Sequence, residues 1–248
     1  MCEDGRRAMG EAHNNTIDVR LFRFDPDSDA SPRYTRHAMA YDENTTVLDL
    51  LEAINYTAEP FAFLRDCRML RCGSCAIKAN GKAILACHKR VAELKNSSEL
   101  VIEPLTCFPL IKDLLVDFSA DMDQRAAFRP YPEVASVGCR TPSLKGSDAD
   151  ILSQYTACSH CAICVEVCAS LKWPPGERAP NPMHLLDIAR LAQDPRDHVS
   201  RALEAVNEGF NLCDGCRQCD RACPMNINVY ELSVGRLRAM QPASSNQR

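Results

Sequence analysis

No stretch of this 248-residue sequence reaches the roughly 20 consecutive apolar residues of a membrane-spanning helix, because runs such as VLDLLEAI and FPLIKDLLVDF are broken by charge within a few positions. Any membrane contact therefore has to come through a partner. Positive charge is not in excess either. The 29 Lys and Arg stand against 33 Asp and Glu, a formal net charge of -4, which offers no general attraction for a phosphate backbone and argues against a nucleic-acid partner. The opening residues, MCEDGRRAMGEAHNN, lack the apolar core of a secretory signal, so export is not expected. The 15 cysteines make up about 6% of the chain, below the density of a small disulfide scaffold. At this length there is room for two modest domains, each with a core of its own.

What is present is organised in two halves. Residues 1 to 15 and the tail from about Gln241 are polar and aperiodic and are expected to fray. From Thr16, Ile17, Val19 and Leu21 alternate with Asp18 and Arg20, which predicts a half-buried strand, and a second strand near Tyr34 to Tyr41 is placed to pair with it. Val47, Leu50, Leu51 and Ile54 recur at helical spacing behind Thr46, whose hydroxyl can cap the helix with Asp49 three residues on. Ala76 to Ala79 and Ala83 to Ala86 flank Asn80-Gly81-Lys82, a hairpin turn, and Leu100 to Ile102 adds a last strand. These elements predict an α+β domain over 16–106.

The pattern then turns helical, with Leu110, Leu114, Phe118 and Met122 at four-residue steps, and 129–147 reads as linker, placing a connecting region at 107–150. A mainly helical domain follows over 151–240. It contains an internal repeat: CSHCAICVEVC at 158–168 and CDGCRQCDRAC at 213–223 share one cysteine spacing.

Twelve of the cysteines fall into three tight groups, and in a chain read as cytosolic such spacing points to metal ligands rather than disulfides. Cys67, Cys72, Cys75 and the distant Cys87 follow the plant-type 2Fe-2S spacing. Gly73 and Ser74 make the loop small enough for backbone N–H groups to approach the cluster sulfurs. A zinc site is the bland alternative, although the four-residue gap and long return are atypical of paired zinc ligands. The other two groups are each C-x2-C-x2-C-x3-C, in which three cysteines hold one cluster and the fourth reaches the other. Crossing them gives a 4Fe-4S set of Cys158, Cys161, Cys164 and Cys223 and a third set of Cys213, Cys216, Cys219 and Cys168. Pro224 follows the last cysteine, as the pattern expects, whereas Ala169 follows Cys168.

A plant-type ferredoxin domain followed by a two-cluster bacterial ferredoxin domain resembles the iron–sulfur subunits of succinate dehydrogenases and fumarate reductases. CRMLRCGSCAIKANGKAILAC, EPLTCFPLIKDLLVDFS and AQDPRD carry the same resemblance. It implies a β-grasp fold for the first domain and an all-α, two-cluster ferredoxin-like fold for the second. It further implies a relay of single electrons, with the 2Fe-2S cluster facing an FAD-containing flavoprotein that interconverts succinate and fumarate, and the third cluster near a membrane quinone. Such a chain has no catalytic residue of its own. The resemblance also implies anchor subunits that hold the chain at the cytoplasmic side of the membrane.

Many members of that family lack a cysteine where Cys216 stands and carry a 3Fe-4S third cluster; the extra thiolate here points to 4Fe-4S, and a 3Fe-4S cluster with Cys216 as a bystander is the alternative. The same resemblance puts Trp173 and Lys172 next to the quinone, with Asp214 at a further matching position, while a packed Trp anchor is the alternative for Trp173. Cys2, Cys107 and Cys139 have no partners at ligand spacing and are assigned no role. His160 can donate to a cluster sulfur or simply be solvated. Arg65 and Arg68 can raise the first cluster's potential or meet an acidic flavoprotein surface, or be solvated only. Two competing readings remain: an iron–sulfur subunit of a thiol-dependent fumarate reductase or heterodisulfide-reductase-like complex, and a zinc-stabilised interaction module.

Overall fold

The computed structural model describes residues 15–57, 59–94, 99–133, 144–171 and 180–240. The first domain is a five-stranded mixed sheet. Strand β1 (Asn15–Arg23) pairs antiparallel with β2 (Arg33–Tyr41) and parallel with β5 (Glu99–Glu103), while β3 (Ala76–Ala79) pairs antiparallel with both β4 (Lys82–Leu85) and β5, giving the order β2-β1-β5-β3-β4. Alternation in β1 sends Ile17, Val19, Leu21 and also Arg23 inward. Helix α1 (Val47–Thr57) buries Val47, Leu48, Leu50, Leu51 and Ile54 in the same core. Its start is a reciprocal box: the Thr46 amide and hydroxyl both donate to the Asp49 carboxylate, and the Asp49 amide donates back to Thr46 Oγ1. Asn80 and Gly81 take positive φ (49° and 74°) at the β3–β4 turn, as a two-residue hairpin with this hand of twist requires.

The helical expectation for 110–118 is not met. Leu110–Lys112 (β6) and Leu115–Val116 (β7) form a small hairpin, and helix α2 begins only at Ser119, running to Ala127. The cause is Asp113, at the turn with φ of 50° and 1% exposed. Its carboxylate accepts from Arg23 Nε at 3.0 Å, from the Phe24 amide at 3.1 Å and from the Ala62 amide at 2.8 Å, so the turn is tied to the first domain by three bonds that a continuous helix would forfeit. The four-residue spacing was therefore fortuitous: Leu114 is buried, but Met122 is exposed.

The second region is helical: α3 (Gly146–Thr156), α4 (Ile163–Glu166), α5 (Pro182–Gln193), α6 (Ala202–Asn207), α7 (Gln218–Ala222) and, after a π-helical turn at Glu231–Gly235, α8 (Arg236–Met240). Among the described residues no helix is long and apolar enough to cross a membrane. The AQDPRD stretch fastens the chain arriving from the first domain: Asp197 binds the Glu133 amide and Arg201 Nε, and Arg201 donates to the carbonyls of Phe128 and Tyr131.

The two regions share cores. Ile163 of α4, fully buried, packs with Leu48, Leu85 and Val91 in the core of the sheet domain, and Ala162, Val165 and Met183 pack with Leu105, Phe108 and Val116.

Candidate metal centres

The three cysteine-bearing loops have one backbone device in common, alternation of left-handed with right-handed residues. In the first loop Arg68 (φ 55°), Leu70 (φ 61°) and Gly73 (φ 73°) are left-handed. The second has His160 (φ 51°) and Ala162 (φ 60°), and the third has Gly215 (φ 78°) and Arg217 (φ 56°) at the corresponding positions of the repeat. Such alternation turns successive N–H groups toward one side, forming a concavity for negative charge. Four of these seven residues, Arg68, Leu70, His160 and Arg217, are large side chains in a conformation that costs on the order of 1 kcal/mol each, and such strain persists only where surrounding structure holds it.

In the first loop the result is visible in hydrogen bonds. The amides of Met69, Arg71 and Cys72 all point at Cys67 Sγ, at 3.4, 3.4 and 3.3 Å. Donors from Met69, Cys72 and Arg71 pull the Cys67 thiol down to about 7. Cys75 is buried in the core and is pushed up to about 12, with the Cys87 amide 3.5 Å from its sulfur. The Cys72 amide reaches Cys67 and the Cys87 amide reaches Cys75, and Cys72 and Cys87 both help to raise the Cys75 thiol, which links the four residues.

The cysteines of the second and third runs line two separate cavities. Cys158, Cys161, Cys164 and Cys223 line one, walled by Met183, Leu186, Met225, Ile227 and Val229. Cys168, Cys213, Cys216 and Cys219 line another, walled by Pro180, Leu185, Tyr230 and Val234. Each cavity thus takes three cysteines from one run and the fourth from the other. Burial pushes Cys158 up to about 11, Cys219 up to about 12, and Cys164 well above its ordinary range. Buried thiols raised in this way favour a cation beside them, and a metal centre whose positive charge draws out the protons is the chemistry that such a donor set fits. No three His, Cys, Asp or Glu side chains among the described residues converge on one point as the ligands of a single ion do.

The charged residues around these loops are organised differently from the sequence expectation. His160 does not turn its ring to a sulfur. Its Nε2 lies 3.1 Å from Asp187 Oδ2, which also accepts from Arg125 Nε at 2.7 Å, while the His160 amide lies 3.5 Å from Cys158 Sγ. Burial would raise the Asp187 carboxyl, but His160 and Arg125 outweigh it and hold it low. Arg65 and Arg68 both pair with Glu52 of α1, so much of their charge is compensated within the domain. Asp214 accepts from the Cys216 amide at 3.0 Å, a bond internal to its loop.

Gly73 also has a different neighbour from the one expected. The N–H groups that reach Cys67 come from Met69, Arg71 and Cys72, while Gly73 packs against Ser159 and Cys161 of the second run. Cys107 is buried, and its thiol is pushed far up by burial and by Glu166. Lys172, Trp173, Cys2, Cys139, residues 134–143 of the expected linker and both chain ends lie outside the described residues. Sequence reasoning passed over Ile163, Glu166, Arg125 and Asp187. Only Ile163 left a signal, as an isolated large apolar residue inside a cysteine run.

Comparison with known proteins bears on the same stretches. Residues 18–123 match the 2Fe-2S iron-sulfur cluster binding domain family, and residues 157–228 match the 4Fe-4S dicluster domain family. The chain is 35% identical over 226 residues to a subunit of the fumarate reductase (CoM/CoB) of Methanothermobacter marburgensis, covering 90% of this chain but 44% of that protein. It thus spans less than half the length of that relative. It is 32% identical over 231 residues to the mitochondrial succinate dehydrogenase [ubiquinone] iron-sulfur subunit 1 of Oryza sativa, covering 88% of this chain and 80% of that one. Among solved structures, a chain of the Mycobacterium smegmatis Sdh1 complex in the apo form superposes with a TM-score of 0.80 at 22% identity, over 90% of this chain and 94% of that one, which establishes a common fold.

Proposed function

The chain belongs to the family of iron–sulfur subunits of succinate dehydrogenases and fumarate reductases, and from that membership we propose that it relays single electrons between an FAD-bearing flavoprotein acting on succinate or fumarate and a quinone at the membrane. Bound iron–sulfur clusters would supply one-electron carriers whose potentials respond to charge, burial and hydrogen bonds at the sulfurs. The residues of this chain do the rest. Cys67, Cys72, Cys75 and Cys87 would hold a 2Fe-2S cluster, with the amides of Met69, Arg71 and Cys72 stabilising negative charge at Cys67. Cys158, Cys161, Cys164 and Cys223 would hold a 4Fe-4S cluster in an apolar, water-poor cavity. Cys168, Cys213, Cys216 and Cys219 would hold the third.

The observation that carries this reading is the crossing of the two runs into two four-cysteine cavities. The third cluster is read as 4Fe-4S rather than 3Fe-4S because Cys216 lines its cavity together with the other three thiols. The sheet order of the first domain supports a β-grasp, plant-type ferredoxin fold over 16–106. The paired αL-capped helices α4 and α7 support a two-cluster ferredoxin-like fold over 151–240, with 107–150 as the connection. The zinc-stabilised module is set aside, since both matched families bind iron–sulfur clusters.

Membrane anchor subunits would hold the complex at the cytoplasmic face, with Trp173 and Lys172 beside the quinone. A second reading is favoured by the likeness to the fumarate reductase (CoM/CoB) subunit of Methanothermobacter: an iron–sulfur subunit of a thiol-dependent fumarate reductase or heterodisulfide-reductase-like complex, for which a cysteine-rich peripheral partner rather than a haem-bearing anchor is the expectation. Anaerobic purification with copurifying partners tests both readings. About ten iron atoms per chain with matching sulfide, a reduced 2Fe-2S signal and two reduced cubane signals are expected. An anchor with b-type haem selects the first reading, a cysteine-rich peripheral partner the second, and zinc without sulfide overturns the relay.

A further inference from the structure

Gly73 is the point at which the first cysteine loop touches the second. It sits between Cys72 and Ser74, in the left-handed conformation at φ +73°, and a Cβ placed there would lie 2.6 Å from the Ser159 carbonyl oxygen, 2.9 Å from Cys161 Cα and 3.0 Å from Cys161 Cβ. Two of these three neighbours are backbone atoms, and the third is the first side-chain atom of a cysteine in the second run. None of them is the yielding end of a flexible side chain. Any side chain at 73 therefore has to push the loops apart. Gly81 shows that conformation alone does not impose this: it has nearly the same φ, +74°, yet its Cβ would meet nothing within 4 Å.

The contact is held in place from both sides. Ile163, two residues beyond Cys161, is buried in the core of the sheet domain, and Glu166 accepts bonds from the amides of Thr106 and Cys107. Rotation or sliding of one loop over the other is thereby blocked, and the missing side chain at 73 sets how closely they meet.

We propose that Gly73 is a positioning residue for electron transfer, which fixes the approach of the first cysteine group to Cys161 of the middle group by bringing backbone into contact with backbone. The inference rests on the ligand sets proposed above. The route runs from Cys72 through the adjoining Gly73 to Cys161, across one van der Waals contact. With clusters held by the ligand sets proposed above, this contact would carry one electron, lost by the first centre and gained by the middle one, with no bond or proton exchanged.

The test uses the anaerobic holo-complex and compares wild type with Gly73→Ala and Gly81→Ala. Iron and sulfide content and the EPR signal of each centre are measured first, and a wild-type chain without the first or the middle centre overturns both this inference and the ligand sets. With both centres present in wild type, relaxation of the reduced 2Fe-2S signal is expected to be enhanced when the middle centre is paramagnetic. In Gly73→Ala that enhancement should be lost or clearly weakened with cluster content unchanged, whereas Gly81→Ala should retain it. Retained enhancement in Gly73→Ala overturns the role of Gly73 while leaving the ligand sets intact. Should Gly73→Ala fail to assemble, wild type decides through hydrogen exchange. Protected amides at Ser159 to Cys161 are the expected result, and amides exchanging as freely as those of an exposed loop overturn the inference.

Discussion

Glu166 holds Thr106 with both oxygens of its carboxylate, accepting from the Thr106 amide at 2.8 Å through Oε2 and from the Thr106 hydroxyl at 2.6 Å through Oε1, while Oε2 also accepts from the Cys107 amide at 2.9 Å. The last turn of α4 is thus joined to the segment that leaves the sheet domain. All three partners are donors, and a glutamine amide would turn its own donors toward one side of that array. Glu166→Gln is expected to cost about 1–3 kcal/mol in chemical denaturation and to speed hydrogen exchange at Thr106 and Cys107. Unchanged exchange at those two amides would show that the joint is held by packing alone.

Ile163 is the apolar part of the same joint. It is fully buried in the core of the other domain, so Ile163→Ala leaves a cavity there and is expected to destabilise the chain by about 2–5 kcal/mol. Differential scanning calorimetry on the holo-protein should then show the two regions melting less cooperatively. A loss smaller than that of an ordinary surface substitution would mean that Ile163 is not packed as described.

Asp113 and Arg23 form a pair whose side chains are only 2% and 5% exposed. Asp113→Ala removes the buried acceptor of Arg23 Nε and of two amides, leaves the guanidinium with Glu59 and the Pro60 carbonyl, and places alanine at positive φ, with an expected loss of about 1–3 kcal/mol. Asp113→Asn should lose less, because asparagine tolerates the conformation and keeps an acceptor for Arg23. Equal losses in urea denaturation would locate the effect in the lost charge rather than in the backbone conformation.

His184 has no exposure and lies between two carboxylates, with Nδ1 at 2.8 Å from Glu208 and Nε2 at 3.2 Å from Asp121; the Phe128 ring packs on its edge, and Gln124 also donates to Glu208. Burial alone would lower its pKa, but the two carboxylates outweigh burial and raise it to about 9. A pKa raised on folding stabilises fully below the unfolded value near 6.5, and that contribution is lost as pH rises through about 9; a shift of this size corresponds to about 3 kcal/mol. The Tm of wild type should fall over that window by more than the Tm of His184→Gln. Parallel pH profiles would exclude His184 as the titrating group.

Cys216 decides the composition of the third centre. If it is a ligand, Cys216→Ala should lower iron by about one atom per chain and bring up an oxidised 3Fe-4S EPR signal under anaerobic purification. An iron content equal to wild type would make Cys216 a bystander.

The sequence by itself determined the strand alternation of β1, the Thr46 and Asp49 box, the Asn80-Gly81 turn and the grouping of twelve cysteines, because each depends on residues close together in the chain. The repeat of the second and third runs was equally legible, down to the corresponding residues Ile163 and Gln218. Why one of these is apolar and the other polar was not. Ile163 is buried in a core built by residues of the other domain, from Ile17 to Leu114, while Gln218 faces solvent. The same limit explains the missed hairpin at Leu110 to Val116, where Asp113 answers to Arg23 some ninety residues away and overrides a helical spacing. It also explains Gly73, whose neighbour Cys161 lies in the other domain. Local periodicity records the demands of a segment on itself, and only the folded chain brings together the distant groups whose burial, charge and volume decide the rest.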